Sequence, residues 1–280
     1  MSGHYTRIAS TFRNWVSSDS NAPFSPQKGR YQLCISYACP WAHRVLLMLR
    51  LKGLEDIIEA CVVDPILDEL GWKFLEPFQP GNINYVSELY QRSNSGYDGK
   101  NTVPVLWDKK TKRIVNNESS DIMRILNSAF DQFTSVTADF YPQDLRSNID
   151  TTNALVYENI NNGVYKCGFA QSKIAYDEAL YNLFTCLNSL ESRLSKHNYL
   201  VGNALTEADL RLFPTLIRFD LAYGPVFHCN VKRIVEHPNL KRYIDRLYDI
   251  PEIGSTVNMD HIEQHFYESP RMKQIVDFRG

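Results

Sequence analysis

The order of apolar and polar positions predicts a strand, a turn and a helix near the start of the chain. Residues 31–36 (YQLCIS) form a short apolar run, and from Trp41 to Lys52 apolar side chains recur at helical spacing. The same reasoning predicts strands at residues 57–63, 102–108 and 113–115, and a helix that begins near residues 118–120. A β-α-β unit followed by a β-β-α unit is the thioredoxin-like layout.

The second half of the chain has a different pattern. From about residue 150 the apolar residues follow helical periods, and the predicted helices span residues 150–165, 172–196, 207–222 and 238–248. Thr206 and Asp209 match a capping box at the start of the third of these helices. The predicted fold class is therefore α/β plus all-α, with a thioredoxin-like domain followed by a helical bundle.

Changes in composition divide the chain further. Residues 71–99 are rich in Pro, Gly, Asn and Ser and exceed the usual length of a connection, so we expect an inserted, substrate-facing segment there. The predicted divisions are an N-terminal extension (residues 1–29), a thioredoxin-like domain (30–130), a linker (131–149), a helical domain (150–258) and a C-terminal tail (259–280).

Charge and cysteine content narrow the class of protein. The 280 residues carry 30 Lys and Arg against 32 Asp and Glu, which gives no basic surface for nucleic acid or an anionic membrane. The apolar run around Val45–Leu49 is far shorter than a membrane span. Six cysteines without a CxxC pair indicate reduced thiols, and we expect a cytoplasmic protein. Residues 1–18, with two arginines and no acid, leave organelle targeting as an alternative.

Cys39 is the strongest candidate for a reactive residue. It stands in SYACPWA, where a strand ends and a helix begins, and Pro40 suits the first helical turn. Free N–H groups and the positive end of the helix dipole favour a thiolate there, although a cysteine considered alone is more often a packing residue. Position 42 is alanine, so no local disulfide can form. A monothiol mechanism is predicted, in which an external thiol such as glutathione resolves the mixed disulfide.

Two other motifs suit the recognition of glutathione. In TVPV, the backbone of Val103 before Pro104 could pair with the cysteinyl part of the tripeptide; a proline at a sheet edge is the alternative. In NNESS, Ser119 and the free N–H groups of the following helix could hold a carboxylate, and Glu118 could take an ammonium. A plain helix cap is the alternative there.

The histidines offer a weaker signal. His261 and His265 stand four residues apart and could face one way on a helix, as metal ligands do, but no third ligand is evident and no metal is expected. His43 is interpreted as a packing or surface residue rather than as a group that tunes Cys39, and Cys34 is expected to point into the core.

Eight separated segments together resemble one family. In this order, between about residues 10 and 268, the chain contains GRYQLCISYACPWAHR, LKGLED, GWKF, TVPVLWDKK, NNESSDIMRILN, NNGVYKCGFA, YLVGNALTEADLRLFPTLIRFD and HCNVKRI. It is similar to the xi class of glutathione transferases, the S-glutathionyl-hydroquinone reductases, which are relatives of the omega class.

This resemblance implies roles for particular residues. Cys39 matches the family's nucleophile, and the family's glutathione-binding positions are matched by Trp72, Val103, Glu118 and Ser119. A basic side chain before TVPV also contacts glutathione in the family, and both Arg92 and Lys100 are candidates for it. Two tyrosines on the quinone side are matched by Tyr165 and Tyr267.

The resemblance also implies an activity and its partners. The implied activity is the reduction of S-glutathionyl-hydroquinones, with small mixed disulfides and dehydroascorbate as further substrates. The implied partners are glutathione as co-substrate and a small aromatic or quinone-derived substrate, and the implied assembly is a homodimer. The chain departs from the family at Pro225–His228, where Gly-His-Phe-Lys is usual and a pocket histidine is missing, and in its short ending after Tyr267. The rival functions are a non-catalytic binding protein and an ordinary conjugating transferase.

Overall fold

The computed structural model describes residues 3–19 and 21–278, which form two compact units. We call Ala9–Asp139 together with Ser255–Pro270 the thioredoxin-like unit, and residues 3–8, Phe140–Gly254 and residues 271–278 the helical unit. Within the described part of the chain, no helix has both the length and the apolar character that a bilayer crossing requires.

A four-stranded sheet forms the centre of the thioredoxin-like unit. Its strands are β1 (Tyr31–Ile35), β2 (Glu59–Val62), β5 (Val105–Asp108) and β6 (Arg113–Asn116), in the order β2-β1-β5-β6. Strands β1 and β2 are parallel and joined through helix α1 (Pro40–Leu51), whereas β5 and β6 are antiparallel to their neighbours. All residues of β1 and β5 are buried, including Gln32 and Asp108, which explains why neither strand alternates between apolar and polar residues. Helix α3 (Ser119–Ser128) follows β6 directly.

The sequence analysis missed the elements between residues 71 and 99. The structure places a hairpin there, β3 (Lys73–Phe78) with β4 (Ile83–Tyr85), followed by helix α2 (Val86–Ser93). The interpretation of this region as an inserted segment was wrong for α2, which buries three side chains and completes the thioredoxin-like order of elements. The hairpin is a separate two-stranded sheet in addition to that order. Strand β3 faces the interior with only two aromatic residues, so its alternating pattern is weak in a segment dominated by turn residues.

The helical unit contains the predicted helices with two differences. Its α-helices are α4 (Arg146–Val156), α5 (Gly163–Gly168), α6 (Lys173–Leu194), α7 (Glu207–Leu216), α8 (Gly224–Val226), α9 (Pro238–Tyr248) and α10 (Pro251–Gly254). The predicted helix over residues 150–165 is instead three consecutive pieces, because a π-helical turn at Tyr157–Asn161 separates α4 from α5. The helix predicted over residues 207–222 ends at Leu216, and a π-helical turn at Phe219–Tyr223 follows it. A last helix, α11 (Met259–Glu268), belongs to the thioredoxin-like unit.

The predicted capping box of α7 is confirmed. The N–H and the hydroxyl of Thr206 both donate to Oδ2 of Asp209, at 2.9 and 3.2 Å. Asp209 is fully buried and also accepts from the N–H of Leu200 and the hydroxyl of Tyr243. The carboxylate thus ties the start of α7 to the preceding loop and to α9.

A buried ion pair fixes the start of β1 to the end of β5. The guanidinium of Arg30 donates twice to the fully buried carboxylate of Asp108, at 2.8 Å each. Burial raises the pKa of Asp108, but hydrogen bonds from Arg30, Thr111 and Lys110 and the charge of Arg30 outweigh burial, so its pKa is lowered below 3.8.

We predict that this pair contributes to acid denaturation. A carboxyl group whose pKa is lower in the folded chain stabilises the fold above its unfolded pKa, and that contribution is lost as the pH falls through the folded pKa. The free energy of unfolding should therefore decrease below about pH 4, and Asp108→Asn should reduce the slope of that decrease. Urea titrations of the wild type and of Asp108→Asn at a series of pH values measure the free energy of unfolding. Equal slopes against pH for the two proteins would contradict the prediction.

Candidate active site

Cys39 lies at the N-terminus of α1, as the sequence predicted. It has an extended backbone (φ −78°, ψ 120°), Pro40 follows as the first helical residue, and its carbonyl accepts the N–H of His43 at 2.9 Å. The side chain of Cys39 is mostly buried, at 8% exposure. The first N–H groups of a helix have no carbonyl partner within it, so a negative charge on the sulfur is stabilised at this position.

The remaining cysteines provide a contrast to Cys39. Cys34 is fully buried, as predicted, and burial raises its pKa well above the ordinary value. Burial, with a smaller effect from Glu59, raises the pKa of Cys61 to about 12, and burial alone raises that of Cys186 to about 11. Burial and the neighbouring Cys167 raise the pKa of Cys229. These four thiols are therefore poor nucleophiles at neutral pH, which supports the selection of Cys39.

Val103 is next to Cys39 in space. The Cys39 thiol donates to the carbonyl of Val103, with Sγ and O 3.7 Å apart, and the Val103–Pro104 peptide bond is cis. The residue before this proline therefore presents its backbone beside the sulfur, where the cysteinyl part of glutathione is expected to pair.

A buried tyrosine links Val103 to the other half of the predicted glutathione site. The hydroxyl of Tyr90 donates to the carbonyl of Thr102 at 2.9 Å and accepts from the N–H of Thr102 at 3.2 Å. It also accepts from the side-chain amide of Asn117 at 3.0 Å, immediately before Glu118. Sequence analysis missed Tyr90 and the role of Asn117, because the residues that they join are far apart in sequence.

Glu118 and Ser119 lie at the start of α3. Glu118 is the N-cap residue, and its Oε1 accepts from the N–H and the hydroxyl of Ser120, at 3.3 and 3.0 Å. Ser119, the first residue of α3, is almost fully buried. The first turn of α3 places N–H groups and a carboxylate together, and this arrangement suits both charged ends of a γ-glutamyl amino acid.

Trp72 packs against the C-terminal helix of the same unit. Its ring stacks on His265, with centroids 5.3 Å apart and an interplanar angle of 20°. Nδ1 of His265 lies 2.9 Å from the carbonyl of Pro65, and the ring of His261 instead packs edge-on against Tyr37. Among residues 3–19 and 21–278 there is no cluster of three or more side chains that could hold a metal ion. His265 therefore packs on the candidate glutathione residue Trp72, whereas His261 packs on Tyr37.

His43 packs as expected. It is buried, and its Nε2 lies 2.7 Å from the hydroxyl of Thr256 in the same unit. This contact holds α1 against the segment that contains Thr256, and the His43 side chain does not reach solvent.

The two candidates for the basic residue have different surroundings. The guanidinium of Arg92 lies against the turn of the β3–β4 hairpin, since a Cβ added at Gly81 would be 2.8 Å from its Nη1. This turn is close to the beginning of β1, because the side-chain amide of Gln32 donates to the carbonyl of Gln79. On α2, Arg92 is also two residues from Tyr90, whose hydroxyl contacts Thr102 and Asn117. Lys100 is exposed and lies three residues before Val103, and both residues stay candidates.

The two tyrosines belong to different units. Tyr165, on α5 in the helical unit, is half-buried among aromatic rings, with Phe227 at 5.4 Å, Tyr223 at 6.0 Å and Phe169 at 6.3 Å between centroids. Tyr267, on α11 in the thioredoxin-like unit, is 46% exposed, and burial together with Glu263 raises its pKa. Their contact with a quinone-derived substrate stays a prediction.

Known proteins with a similar sequence decide the family. A family model described as "Glutathione S-transferase, N-terminal domain" matches residues 38–129, and one described as "Glutathione S-transferase, C-terminal domain" matches residues 173–246. The chain is 46% identical to the glutathionyl-hydroquinone reductase PcpF of Sphingobium chlorophenolicum, over 95% of this chain and 86% of that protein. It is equally identical to the glutathionyl-hydroquinone reductase YqjG of Escherichia coli, over 95% and 85%. The crystal structure of a xi glutathione transferase from Phanerochaete chrysosporium superimposes with a TM-score of 0.92 at 44% identity, covering 96% of this chain and 91% of that one.

This chain is a xi-class glutathione transferase.

Membership in the xi class confirms the family and the fold that the sequence predicted. A solved structure of YqjG with glutathione bound matches at a TM-score of 0.90 and 43% identity, covering 97% of this chain and 88% of that chain. Glutathione binding within this fold is thus established for a close relative. In this xi-class chain, Cys39, Val103 and Glu118 are joined through one hydrogen-bonded framework within a single unit.

Proposed function

We propose that this enzyme uses glutathione to reduce S-glutathionyl-hydroquinones through a mixed disulfide at Cys39. The observation that carries the proposal is the position of Cys39, at the start of α1 and 3.7 Å from the Val103 carbonyl, in a chain 46% identical to two glutathionyl-hydroquinone reductases. Small glutathione mixed disulfides and dehydroascorbate are proposed further substrates, because the same thiolate would act on them.

The proposed reaction has two steps. The Cys39 thiolate attacks the glutathionyl sulfur; the sulfur–aryl bond breaks, the ring carbon takes a proton, and the hydroquinone leaves. The product on the protein is a Cys39–glutathione disulfide. A second glutathione thiolate attacks this disulfide, glutathione disulfide leaves, and the Cys39 thiolate is regenerated. The conjugate is the oxidant: its glutathionyl sulfur and the thiol of one added glutathione become one disulfide while the ring carbon is reduced, so no metal or further oxidant is required.

Alanine at position 42 determines which thiol resolves the intermediate. Ala42 lies on α1 one turn after Cys39 and is fully buried, so α1 offers no second thiol. An external glutathione must act in its place. A conjugating transferase activates the glutathione thiol with a hydroxyl, whereas a cysteine at this position forms a disulfide with it, and we expect negligible conjugation of chlorinated aromatics.

The proposal is tested by product analysis with glutathionyl-menadiol and excess glutathione. The expected result is one glutathione disulfide formed for each menadiol released, with catalytic turnover. Binding of glutathione without turnover would favour the rival function, a non-catalytic binding protein.

Tyr165 is the proposed proton donor to the ring carbon, with Tyr267 as its partner at the aromatic oxygens. We expect Tyr165→Phe to lower kcat on glutathionyl-menadiol about a hundredfold or more, a typical loss for a general acid. The rate of Cys39 glutathionylation by glutathione disulfide should not change, since that step transfers no proton to carbon. Stopped-flow and steady-state assays measure the two rates.

The matched control for this variant is Tyr181→Phe. Tyr181 lies on α6 with 72% of its surface exposed, so its replacement should leave both rates unchanged. If Tyr165→Phe slowed both reactions equally, Tyr165 would have a structural role and the proposed proton transfer would be wrong.

Membership in the xi class supports two further proposals. We propose that the protein is a homodimer and that it acts in the cytoplasm with a small aromatic or quinone-derived substrate. Sedimentation at several protein concentrations tests the first of these, and a monomer throughout would contradict it.

A further inference from the structure

The N-terminal extension runs along the open edge of β6. The N–H of Asn14 donates to the carbonyl of Val115, and the N–H of Asn117 donates to the carbonyl of Phe12, both at 3.0 Å. Arg13 and Asn116 form an antiparallel bridge between these bonds. Residues 12–14 therefore pair by their backbone with the segment that leads into α3, within the thioredoxin-like unit.

Side chains strengthen this attachment on both sides of Glu118. The N–H of Phe12 donates to the side-chain carbonyl of Asn117 at 3.1 Å. The guanidinium of Arg13 binds both carboxylate oxygens of Asp121 in the first turn of α3. The extension thus holds the residue before Glu118 and the helical turn after it.

Ser10 contacts the carboxylate of Glu118 itself. Its hydroxyl donates to Oε2 at 3.0 Å, with the carbonyl of Asn117 also within reach at 3.2 Å. Ser120 holds the other oxygen, Oε1, through its N–H and its hydroxyl. A glutamate held at both oxygens is fixed in one orientation, whereas glutamates on protein surfaces ordinarily rotate.

A fixed carboxylate is a better partner for a ligand cation. A carboxylate oxygen can accept more than one hydrogen bond, so Oε2 can accept from Ser10 and from an ammonium group together. The loss of side-chain freedom on binding is smaller when the carboxylate is already oriented. Ser10 would therefore increase affinity for ligands that carry an ammonium group, and only for those.

We propose that Ser10 is a positioning residue that orients Glu118 toward the α-ammonium group of the γ-glutamyl moiety. This inference rests on the proposed use of glutathione by the enzyme. It assigns to the N-terminal extension a role in selectivity for the co-substrate, in addition to its packing against β6.

The test is a binding cycle with two ligands and isothermal titration calorimetry. The ligands are glutathione and its des-amino analogue, glutaryl-cysteinyl-glycine, which lacks the α-ammonium group. We expect Ser10→Ala to weaken glutathione binding about fivefold, the usual effect of one hydrogen bond, and to leave the analogue unaffected. Glu118→Gln should reduce the preference for glutathione further, and Ser10→Thr should restore it because the hydroxyl is retained.

Ser17→Ala is the matched control, since the Ser17 hydroxyl accepts only the local N–H of Asp19 among its described hydrogen bonds. This variant should keep the wild-type preference. Equal weakening of both ligands by Ser10→Ala, or no weakening of either, would overturn the proposal, as would a wild type that does not prefer glutathione over the analogue. A wild type that prefers glutathione over the analogue but has no turnover on glutathionyl-menadiol would contradict the proposed function and leave the role of Ser10 standing.

Discussion

Cys39→Ser is expected to lower the rate of glutathionyl-menadiol reduction by at least about a thousandfold, as the removal of a catalytic nucleophile does in other enzymes. Serine keeps a hydroxyl near the Val103 carbonyl but is not ionised near neutral pH, so it cannot displace the hydroquinone. Binding of reduced glutathione should persist, because the predicted contacts of Val103, Glu118 and Ser119 do not involve the sulfur. Steady-state kinetics and calorimetry on the same preparation measure both effects.

Cys61→Ser is the appropriate control for this variant. Cys61 is half-buried on β2 and burial raises its pKa to about 12, so it is not a thiolate at neutral pH. Its replacement should leave turnover unchanged. If Cys39→Ser retained more than about a tenth of wild-type turnover, or if Cys61→Ser abolished it, the nucleophile would be assigned wrongly.

Asp209→Ala is expected to destabilise the helical unit strongly. The carboxylate of Asp209 is fully buried and accepts four hydrogen bonds, from the N–H of Leu200, the N–H and hydroxyl of Thr206 and the hydroxyl of Tyr243. Alanine leaves these buried donors without an acceptor, so we expect the free energy of unfolding to fall by about 3 kcal/mol or more. Urea titration monitored by circular dichroism measures the change.

The control is Asp249→Ala, at an exposed position at the end of α9. It should change the free energy of unfolding by no more than about 0.5 kcal/mol. A comparable loss in both variants would show that the Asp209 network does not contribute specifically.

The contribution of Asp209 to the free energy of unfolding depends on pH in the direction opposite to that of Asp108. Burial raises the pKa of Asp209 to about 6, although the hydrogen bonds from Leu200, Thr206 and Tyr243 lower it. Because this value is above 3.8, the folded chain binds the proton first as the pH falls. The contribution of Asp209 to stability therefore increases as the pH falls through 6 toward 4, and is smallest above pH 6.

Local signals in the sequence were sufficient for the elements around Cys39. The Cys-Pro junction, the helical spacing after it and the Thr206–Asp209 capping box each depend on residues close together in the chain. The hairpin β3–β4 and helix α2 were missed because β4 is only three residues long and turn residues dominate the surrounding composition. A short strand is recognised from its partner strand, which periodicity does not reveal.

Contacts between distant segments account for the other differences. Tyr90 joins Thr102 to Asn117, His265 stacks on Trp72 almost two hundred residues earlier, and Ser10 reaches Glu118. No spacing rule connects such residues, because their proximity is created by the fold. The choice between Arg92 and Lys100 was open for the same reason.

The measurement that tests the central claim most directly is mass spectrometry of the protein after incubation with glutathione disulfide at neutral pH. We predict one added glutathione per chain, located on the peptide that contains Cys39 and removed by reduced glutathione. An unmodified Cys39, or an adduct confined to another cysteine, would contradict the account.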